Sequence, residues 1–131
     1  MHPTGRTRYR LATDEDQEQI RNFNQQDGED PGWPTVVAER DGEILGYLAT
    51  HRQGDQIMAG PLAIKEGRNR GVLALRICQA YENVLKAIGI VSYRFYIHAE
   101  LDTWHRMAMR SGLFEYEGMV EDHLLFRRDL K

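Results

Sequence analysis

A basic turn between a short strand and a long helix is the segment of this sequence best suited to hold an anion. The turn contains Arg68, Arg70 and Gly71. The first backbone N–H groups of a helix lack partners within the helix and carry partial positive charge, so a helix that begins beside two arginines attracts phosphate or carboxylate groups. The sequence therefore predicts an anion-binding site at this turn.

A strand over residues 56–64 and a helix that ends at Gly89 must position the turn. At about 100° per residue, the apolar side chains of the helix fall in one arc. Gly60 and Pro61 interrupt the strand, because proline donates no ladder hydrogen bond and glycine within a strand marks a bulge, so we expect the sheet to open or bend there. The apolar arc comprises Leu73, Ala74, Ile77, Cys78, Tyr81, Val84, Leu85 and Ile88.

Two apolar residues of this helix, Val72 and Leu75, lie on its polar side. Apolar side chains in such a position are usually covered when the protein performs its function. We therefore expect a ligand, a loop, a second copy of the chain or a protein partner to cover Val72 and Leu75.

The remaining elements are predicted from alternation and turn signals. Thr13 caps a first helix, residues 25–34 form a turn-rich loop without regular structure, and residues 100–111 form a last helix with an apolar arc of its own. This order predicts an α/β (α+β) fold with a mixed sheet and helices on both faces. The predicted strands cover residues 6–12, 35–39, 43–52, 56–64, 92–99, 114–117 and 122–128.

The composition is that of a globular protein. The chain has 131 residues, 41% of them hydrophobic, and no apolar run approaches the roughly 20 residues that span a bilayer. We expect a single domain over residues 1–131 and no membrane partner. The one cysteine, Cys78, fits the apolar arc of the long helix, which indicates a reducing, cytoplasmic setting.

Several classes of site are excluded by residue spacing. The five histidines have no metal-ligand spacing, so no metal is predicted. The sequence has no Walker loop, no GxSxG elbow and no GxGxxG motif. The net charge of −3 gives no general attraction to nucleic acid, and a nucleic-acid adaptor would rest only on the basic start formed by Arg6, Arg8 and Arg10.

Four segments resemble the GNAT superfamily of acyl-CoA-dependent N-acyltransferases. Residues 9–20 are similar to the first strand and helix of that family, 36–50 to its second and third strands, 61–71 to its fourth strand and pyrophosphate loop, and 106–118 to its last helix and the turn that follows. The resemblance implies a mostly antiparallel central sheet with helices on both faces. It also implies acyl transfer from acetyl-CoA, or a similar acyl-CoA, to a primary amine.

The resemblance implies a CoA site along the strand and the basic turn. In the family, the loop carries Arg or Gln, then glycine three residues later and glycine or alanine two after that. Counting from Arg70 places Leu73 and Leu75 at the small positions, and counting from Arg68 places Gly71 and Leu73 there, so either register lacks a small residue. The implied CoA-binding residues are Leu62, Ala63, Ile64, Arg68, Asn69, Arg70, Gly71, Val72, Leu73 and Ala74.

Acyl transfer to an amine also needs groups that move protons. Candidates for the general base are His98, Glu100, His51 and Glu39, of which His98 and Glu100 come first because they share a predicted strand face near the expected opening. The tyrosine that protonates the departing thiolate in the family falls at Ala108 here. Possible replacement acids are His105, one turn away, Tyr96 and Tyr116.

Two functions follow from the resemblance. The first is an N-acyltransferase, whose acceptor the acidic loop over residues 27–30 predicts to be a cationic amine. The second is a catalytically inactive GNAT-like domain that uses Val72 and Leu75 for contacts in a larger assembly. The missing loop glycine and tyrosine favour the second function, whereas Arg68, Arg70, Gly71 and the strand break favour the first.

Overall fold

One seven-stranded sheet forms the centre of the protein in the computed structural model, which describes residues 6–24, 32–65, 67 and 70–130. The strand order is β1-β2-β3-β4-β5-β7-β6. Neighbouring strands are antiparallel except for β4 and β5, which are parallel. The strands are β1 (Arg8–Leu11), β2 (Gly32–Arg40), β3 (Glu43–Gln53), β4 (Gln56–Ile64), β5 (Ser92–His98), β6 (Phe114–Val120) and β7 (His123–Asp129).

Within the described residues, three α-helices pack on the sheet, namely α1 (Gln17–Asn24), α2 (Arg70–Ala87) and α3 (Asp102–Ser111). Side chains alternate between the two faces of each strand. Ile20 of α1 packs with Val37 on one face, whereas Ile77 of α2 packs with Val36 on the other. The mixed sheet with helices on both faces is therefore confirmed.

The third helix shares the α2 face of the sheet. Ala108 of α3 packs with Leu124 and Phe126 of β7, and Phe126 stacks on Phe95 of β5. None of the helices in the described part of the chain is both long and apolar enough to cross a membrane.

The sheet opens at the predicted break in β4. Leu62 pairs with Leu48 and Ala59 pairs with Thr50, so Gly60 and Pro61 form a bulge opposite one residue of β3. Within the described residues, β4 pairs with β5 only through Met58 and Arg94. Beyond that point, β4 continues along β3 and β5 continues along β7. A gap, here called the β4–β5 gap, thus separates residues 60–64 from residues 95–98.

A partly buried carboxylate holds α2 against the closed part of the sheet. Glu82 accepts hydrogen bonds from the Tyr93 hydroxyl at 2.6 Å and from Arg128 Nε at 2.9 Å. Burial, followed by the hydrogen bond to Glu82, raises the pKa of Tyr93 far above its usual range. These contacts fix the side of α2 that faces β5 and β7.

The start of β2 corrects the prediction of a loop over residues 25–34. Gly32 pairs with Thr50, and the strand then carries an irregularity before Val36. Glycine is required at this position, because a Cβ on Gly32 would lie 1.9 Å from the Thr50 carbonyl oxygen. The Thr50 hydroxyl donates to the Pro34 carbonyl at 2.6 Å, so a side chain supplies a bond that the interrupted ladder lacks.

The apolar arc predicted for the last helix is only partly buried. Ala108 is 6% exposed, whereas Trp104 is 44% and Met107 is 59% exposed. The reason is that α3 lies over the edge of the sheet formed by β7 and β6, where the small Ala108 side chain makes the contact with the strands.

We expect the stability of the protein to fall in acid through Asp16. Arg10 donates two hydrogen bonds to this buried carboxylate, at 2.7 and 3.0 Å, and so lowers its pKa. A carboxylate whose pKa is lowered by folding stabilises the protein above its unfolded value of about 3.9, and this contribution is lost as the pH falls below that value. Asp16→Asn should lower the free energy of unfolding by about 2 kcal/mol at pH 7. The variant should also lose less stability than the wild type as the pH falls from about 5 to 3.

Urea unfolding at several pH values measures this effect. The exposed neighbour Asp14 provides the matched control, and Asp14→Asn should leave the pH dependence as it is in the wild type. An Asp16→Asn variant that loses stability in acid as steeply as the wild type would contradict the assignment.

Candidate functional site

The edge of β4 presents backbone groups to the β4–β5 gap. The Lys65 N–H donates to the Leu45 carbonyl at 2.8 Å, so Lys65 faces β3. Successive residues of a strand direct their backbone groups to opposite edges. The N–H and C=O groups of Leu62 and Ile64 therefore point into the gap, whereas those of Ala63 point toward β3.

The first turn of α2 follows β4, one of the two strands that border the gap, after a short connection. The helix begins at Arg70, shortly after β4 ends at Ile64, and its first N–H groups have no partners within the helix. Arg70 and Gly71 are exposed, and a Cβ added at Gly71 would meet no heavy atom within 4 Å. Packing does not require glycine at this position, which leaves space for close approach by a ligand. Arg68, Asn69 and the acidic loop at residues 27–30 lie outside the described residues.

Three histidines and a tyrosine share the face of the sheet opposite α2. Cross-strand partners lie on the same face, and the pairs His51–Met58 and Met58–Arg94 connect β3 to β5. Alternation from Arg94 places Tyr96 and His98 there too, and His98 pairs with His123 of β7. This face thus carries His51, Tyr96, His98 and His123.

The hydrogen bonds of His51 and His98 place their ring protons differently. His51 Nδ1 lies 3.3 Å from the Gly60 carbonyl oxygen. A carbonyl only accepts, so Nδ1 is the donor and Nε2 of the neutral ring keeps its lone pair. His98 Nδ1 instead accepts from the Glu100 N–H at 3.1 Å, so its Nε2 carries the proton. His51 can accept a proton, whereas His98 is arranged to donate a hydrogen bond.

Comparison with known proteins finds similarity in structure and not in sequence. No protein-family model matches the chain, and no curated protein is significantly similar to it in sequence. Many solved structures share its fold. A GNAT family N-acetyltransferase from Escherichia coli in complex with CoA has a TM-score of 0.73 and 18% identity, and the match covers 100% of this chain and 85% of the other.

Two further matches cover nearly all of both chains. The PaiA N-acetyltransferase from Thermoplasma acidophilum in complex with coenzyme A has a TM-score of 0.74 and 11% identity, covering 95% of this chain and 99% of that one. The ribosomal-protein-S18-alanine N-acetyltransferase from Escherichia coli has a TM-score of 0.75 and 10% identity, and the match covers 96% of this chain and 95% of that one. The chain has the GNAT fold.

The last helix carries two residues that the GNAT resemblance singled out. Ala108, where the resemblance predicts the family's tyrosine to fall, is buried against β7. His105, three residues earlier, donates its Nε2–H to Asp102 at 2.9 Å, because a carboxylate only accepts. This ring lies on the α3 side of the sheet, away from the face that carries His51 and His98.

Two of the predicted base candidates, Glu100 and Glu39, do not lie on the strands that border the β4–β5 gap. The strand β5 ends at His98, and a turn in which the Leu101 N–H donates to the His98 carbonyl at 2.9 Å carries the exposed Glu100 off the strand face. Glu39 of β2 accepts from the Gly42 N–H and from Arg10. The Gly42 N–H is the main cause of its lowered pKa.

The side chains of the predicted CoA-binding residues of α2 point in three directions. At about 100° per residue, Val72 and Leu73 project from one side of the helix. Gly71 and Leu75 lie on the other side, the side from which Glu82 contacts β5. Ala74 points into the core and is 2% exposed. A ligand in the β4–β5 gap therefore meets the Gly71 and Leu75 side of α2.

His123 is a candidate that the sequence did not single out. Its ring lies 4.9 Å from that of His98 and 6.0 Å from that of Tyr96, measured between centroids. The contact depends on the register of β5 with β7, which pairs Ser92 with Asp129 and so brings His123 opposite His98. No spacing in the sequence signals this pairing.

Proposed function

We propose that the protein is an N-acyltransferase that transfers an acyl group from acetyl-CoA, or a similar acyl-CoA, to a primary amine. One observation carries the proposal: the β4–β5 gap opens beside the first turn of α2, and the free backbone groups of Leu62 and Ile64 point into it. An open strand edge next to a helix N-terminus suits a ligand with an extended amide chain and a phosphate.

The cofactor would use both parts of this site. The pantetheine arm would lie along this edge as an added strand, with the thioester carbonyl at the Leu62 N–H and an amide at Ile64. The pyrophosphate would accept hydrogen bonds from the first turn of α2, beside Arg70 and Gly71. Two structural neighbours were solved with CoA, which supports this choice of ligand. The resemblance adds Arg68 and Asn69, which lie outside the described residues, to the residues that would bind CoA.

The reaction is direct attack of the amine on the thioester. The nitrogen lone pair forms a C–N bond to the carbonyl carbon, and the C–S bond breaks with its electron pair passing to sulfur. An ammonium substrate loses two protons from nitrogen, one released to solvent through a base and one that ends on the CoA sulfur. Positioning the amine and polarising the carbonyl with a backbone N–H supply most of the rate in such a reaction.

His51 and His98 would act from the face opposite α2. His51 Nε2 has a free lone pair in the neutral ring and would take the proton from the ammonium group. His98 Nε2–H would donate a hydrogen bond to the negative charge that develops on oxygen or sulfur. Among the base candidates from the sequence, which are His98, Glu100, His51 and Glu39, these hydrogen bonds favour His51.

The acceptor would approach on the face that carries these histidines. The acidic residues of the loop at 27–30 favour a cationic amine by charge. A cytoplasmic small molecule or protein amine is the acceptor class that fits this reading.

Gly71→Ala separates the stability of α2 from ligand binding. A Cβ at Gly71 meets no atom of the described residues within 4 Å, so alanine should raise the free energy of unfolding by about 0.5 to 1 kcal/mol. The same Cβ would lie at the proposed pyrophosphate site and weaken CoA binding. Urea unfolding and titration with CoA measure the two effects.

The matched control is Gly89→Ala at the other end of α2. Gly89 has a φ of 86°, so alanine there should destabilise the protein and leave CoA binding unchanged. Unchanged CoA affinity in Gly71→Ala would place the pyrophosphate elsewhere.

A second candidate function is a catalytically inactive GNAT-like domain that serves as an interaction module. Val72 is 51% exposed and Leu75 is 60% exposed, which favours a contact surface for a protein partner or a second copy. Such a module would need neither the thioester nor the histidines.

Release of CoA thiol from acetyl-CoA in the presence of a panel of amines tests the proposed function. The panel should include polyamines, aminoglycosides and peptides with free N-termini or lysines. We expect amine-dependent thiol release that is lost in His51→Ala. Binding of CoA without release for any amine would favour the inactive module.

A further inference from the structure

A groove on the far side of α2 is separate from the β4–β5 gap. It lies between the start of β1 and the first two turns of α2 and has a volume of about 480 Å³. Small-molecule sites typically measure about 300 to 1,000 Å³. The groove is lined by Arg6, Thr7, Tyr9, Val72, Leu73 and Arg76.

The charges of the groove select an anion. Arg6 and Arg76 are both exposed, and neither forms an ion pair or a side-chain hydrogen bond with another residue that the structure describes. Arg10 of β1, by contrast, is paired with Asp16 and Glu39. Two free guanidinium groups at one groove suit a carboxylate, sulfonate or phosphate, which they can bind through two N–H groups each.

The other walls of the groove select an apolar body. Tyr9 and Leu73 are partly buried against the core beneath α2, so they form a fixed apolar floor. Val72 is 51% exposed. An apolar group that lies on these three side chains would cover Val72, and the removal of apolar surface from water would favour its binding.

The groove and the gap lie on opposite sides of one helix. The side chains of Val72 and Arg76 project from α2 toward β1. The side chain of Leu75 projects from the opposite side, where Glu82 binds Tyr93 and Arg128. A ligand in the groove therefore need not displace a ligand in the gap.

We propose that this groove is a second binding site, which takes a small organic anion. The charged group lies between Arg6 and Arg76, and the apolar body lies on Tyr9, Val72 and Leu73. The proposal goes beyond acyl transfer and does not depend on it.

Titration of the ¹⁵N-labelled protein with naphthalene-2-sulfonate, followed by NMR, tests the site. We expect the largest amide shifts at Thr7, Tyr9, Val72 and Leu73, with the same affinity when CoA is present. Arg6→Gln and Arg76→Gln should each weaken binding by about tenfold, since a hydrogen bond to a charged group contributes about 1.5 kcal/mol or more. Naphthalene-2-carboxylate and naphthyl phosphate distinguish a carboxylate site from a phosphate site.

The controls keep the charge or the apolar surface constant. Arg110→Gln removes an exposed arginine of α3, and Leu75→Ser removes apolar surface from the other side of α2; neither should change the affinity. The proposal is overturned if the shifts map to the gap, if CoA displaces the probe, or if both groove variants bind as the wild type does. It is also overturned if inorganic phosphate binds as tightly as the naphthalene compounds, because the apolar walls would then contribute nothing.

Discussion

Leu62→Pro should lower the rate of acyl transfer by about 10² to 10³, the effect of removing one hydrogen-bond donor from the site of a developing oxyanion. The Leu62 N–H points into the β4–β5 gap, so proline removes this donor without removing a bond to β3. The residue is 37% exposed, which limits the loss of packing. Steady-state kinetics with acetyl-CoA and an accepted amine measure the effect.

The control for this prediction keeps the N–H and changes the side chain. Leu62→Ala should retain most of the wild-type rate, and circular dichroism should confirm that both variants fold. If Leu62→Pro is as active as Leu62→Ala, the donor at this position plays no part in the reaction. Ile64→Pro, which removes the other N–H that faces the gap, then tests whether the carbonyl lies one step along the strand.

His51→Ala should lower kcat by about 10²-fold or more at neutral pH, the usual contribution of a positioned base. The difference in kcat between the wild type and His51→Ala should become smaller as the pH rises, because an amine that is already deprotonated needs no base before it attacks. The side chain is exposed, so the fold should not change. A pH profile of kcat for the wild type and the variant measures both parts of the prediction.

His105→Ala tests whether His105 of the last helix, and not His51, moves the proton. We expect a smaller loss, since His105 lies on the α3 side of the sheet and its Nε2–H is held by Asp102. A larger loss in His105→Ala than in His51→Ala would transfer the role of base or acid to the last helix.

The elements beside the gap could be predicted from local sequence. The strand at residues 56–64 has the predicted bounds, since Gly54 before it and the basic turn after it both limit a strand. The opening at Gly60 and Pro61 also follows from local chemistry, because a residue without an N–H interrupts a ladder whatever the strand's neighbour is.

The groups that line the site could not be predicted in the same way. Whether Leu62 or Ala63 faces the gap depends on the register of β4 with β3, and the contact of His98 with His123 depends on the register of β5 with β7. Register arises from long-range pairing, which alternation alone does not determine. Which ring nitrogen carries the proton depends further on one backbone partner, the Gly60 carbonyl for His51 and the Glu100 N–H for His98.

The start of β2 shows a related limit. Proline and glycine at residues 32–34 predict a turn by themselves, yet Gly32 allows the close approach of Thr50 that continues the strand. Local propensity was outweighed there by a tertiary contact.

Calorimetric titration of the full chain with CoA tests the central claim most directly. A ligand that pairs with Leu62 and Ile64 and places its pyrophosphate at the first turn of α2 should bind at one site, with a Kd between about 1 μM and 1 mM, the range of common enzyme substrates. We expect this binding in the wild type and a weaker affinity in Gly71→Ala. No detectable binding of CoA at about 1 mM would contradict the account, because the β4–β5 gap would then hold no acyl-CoA.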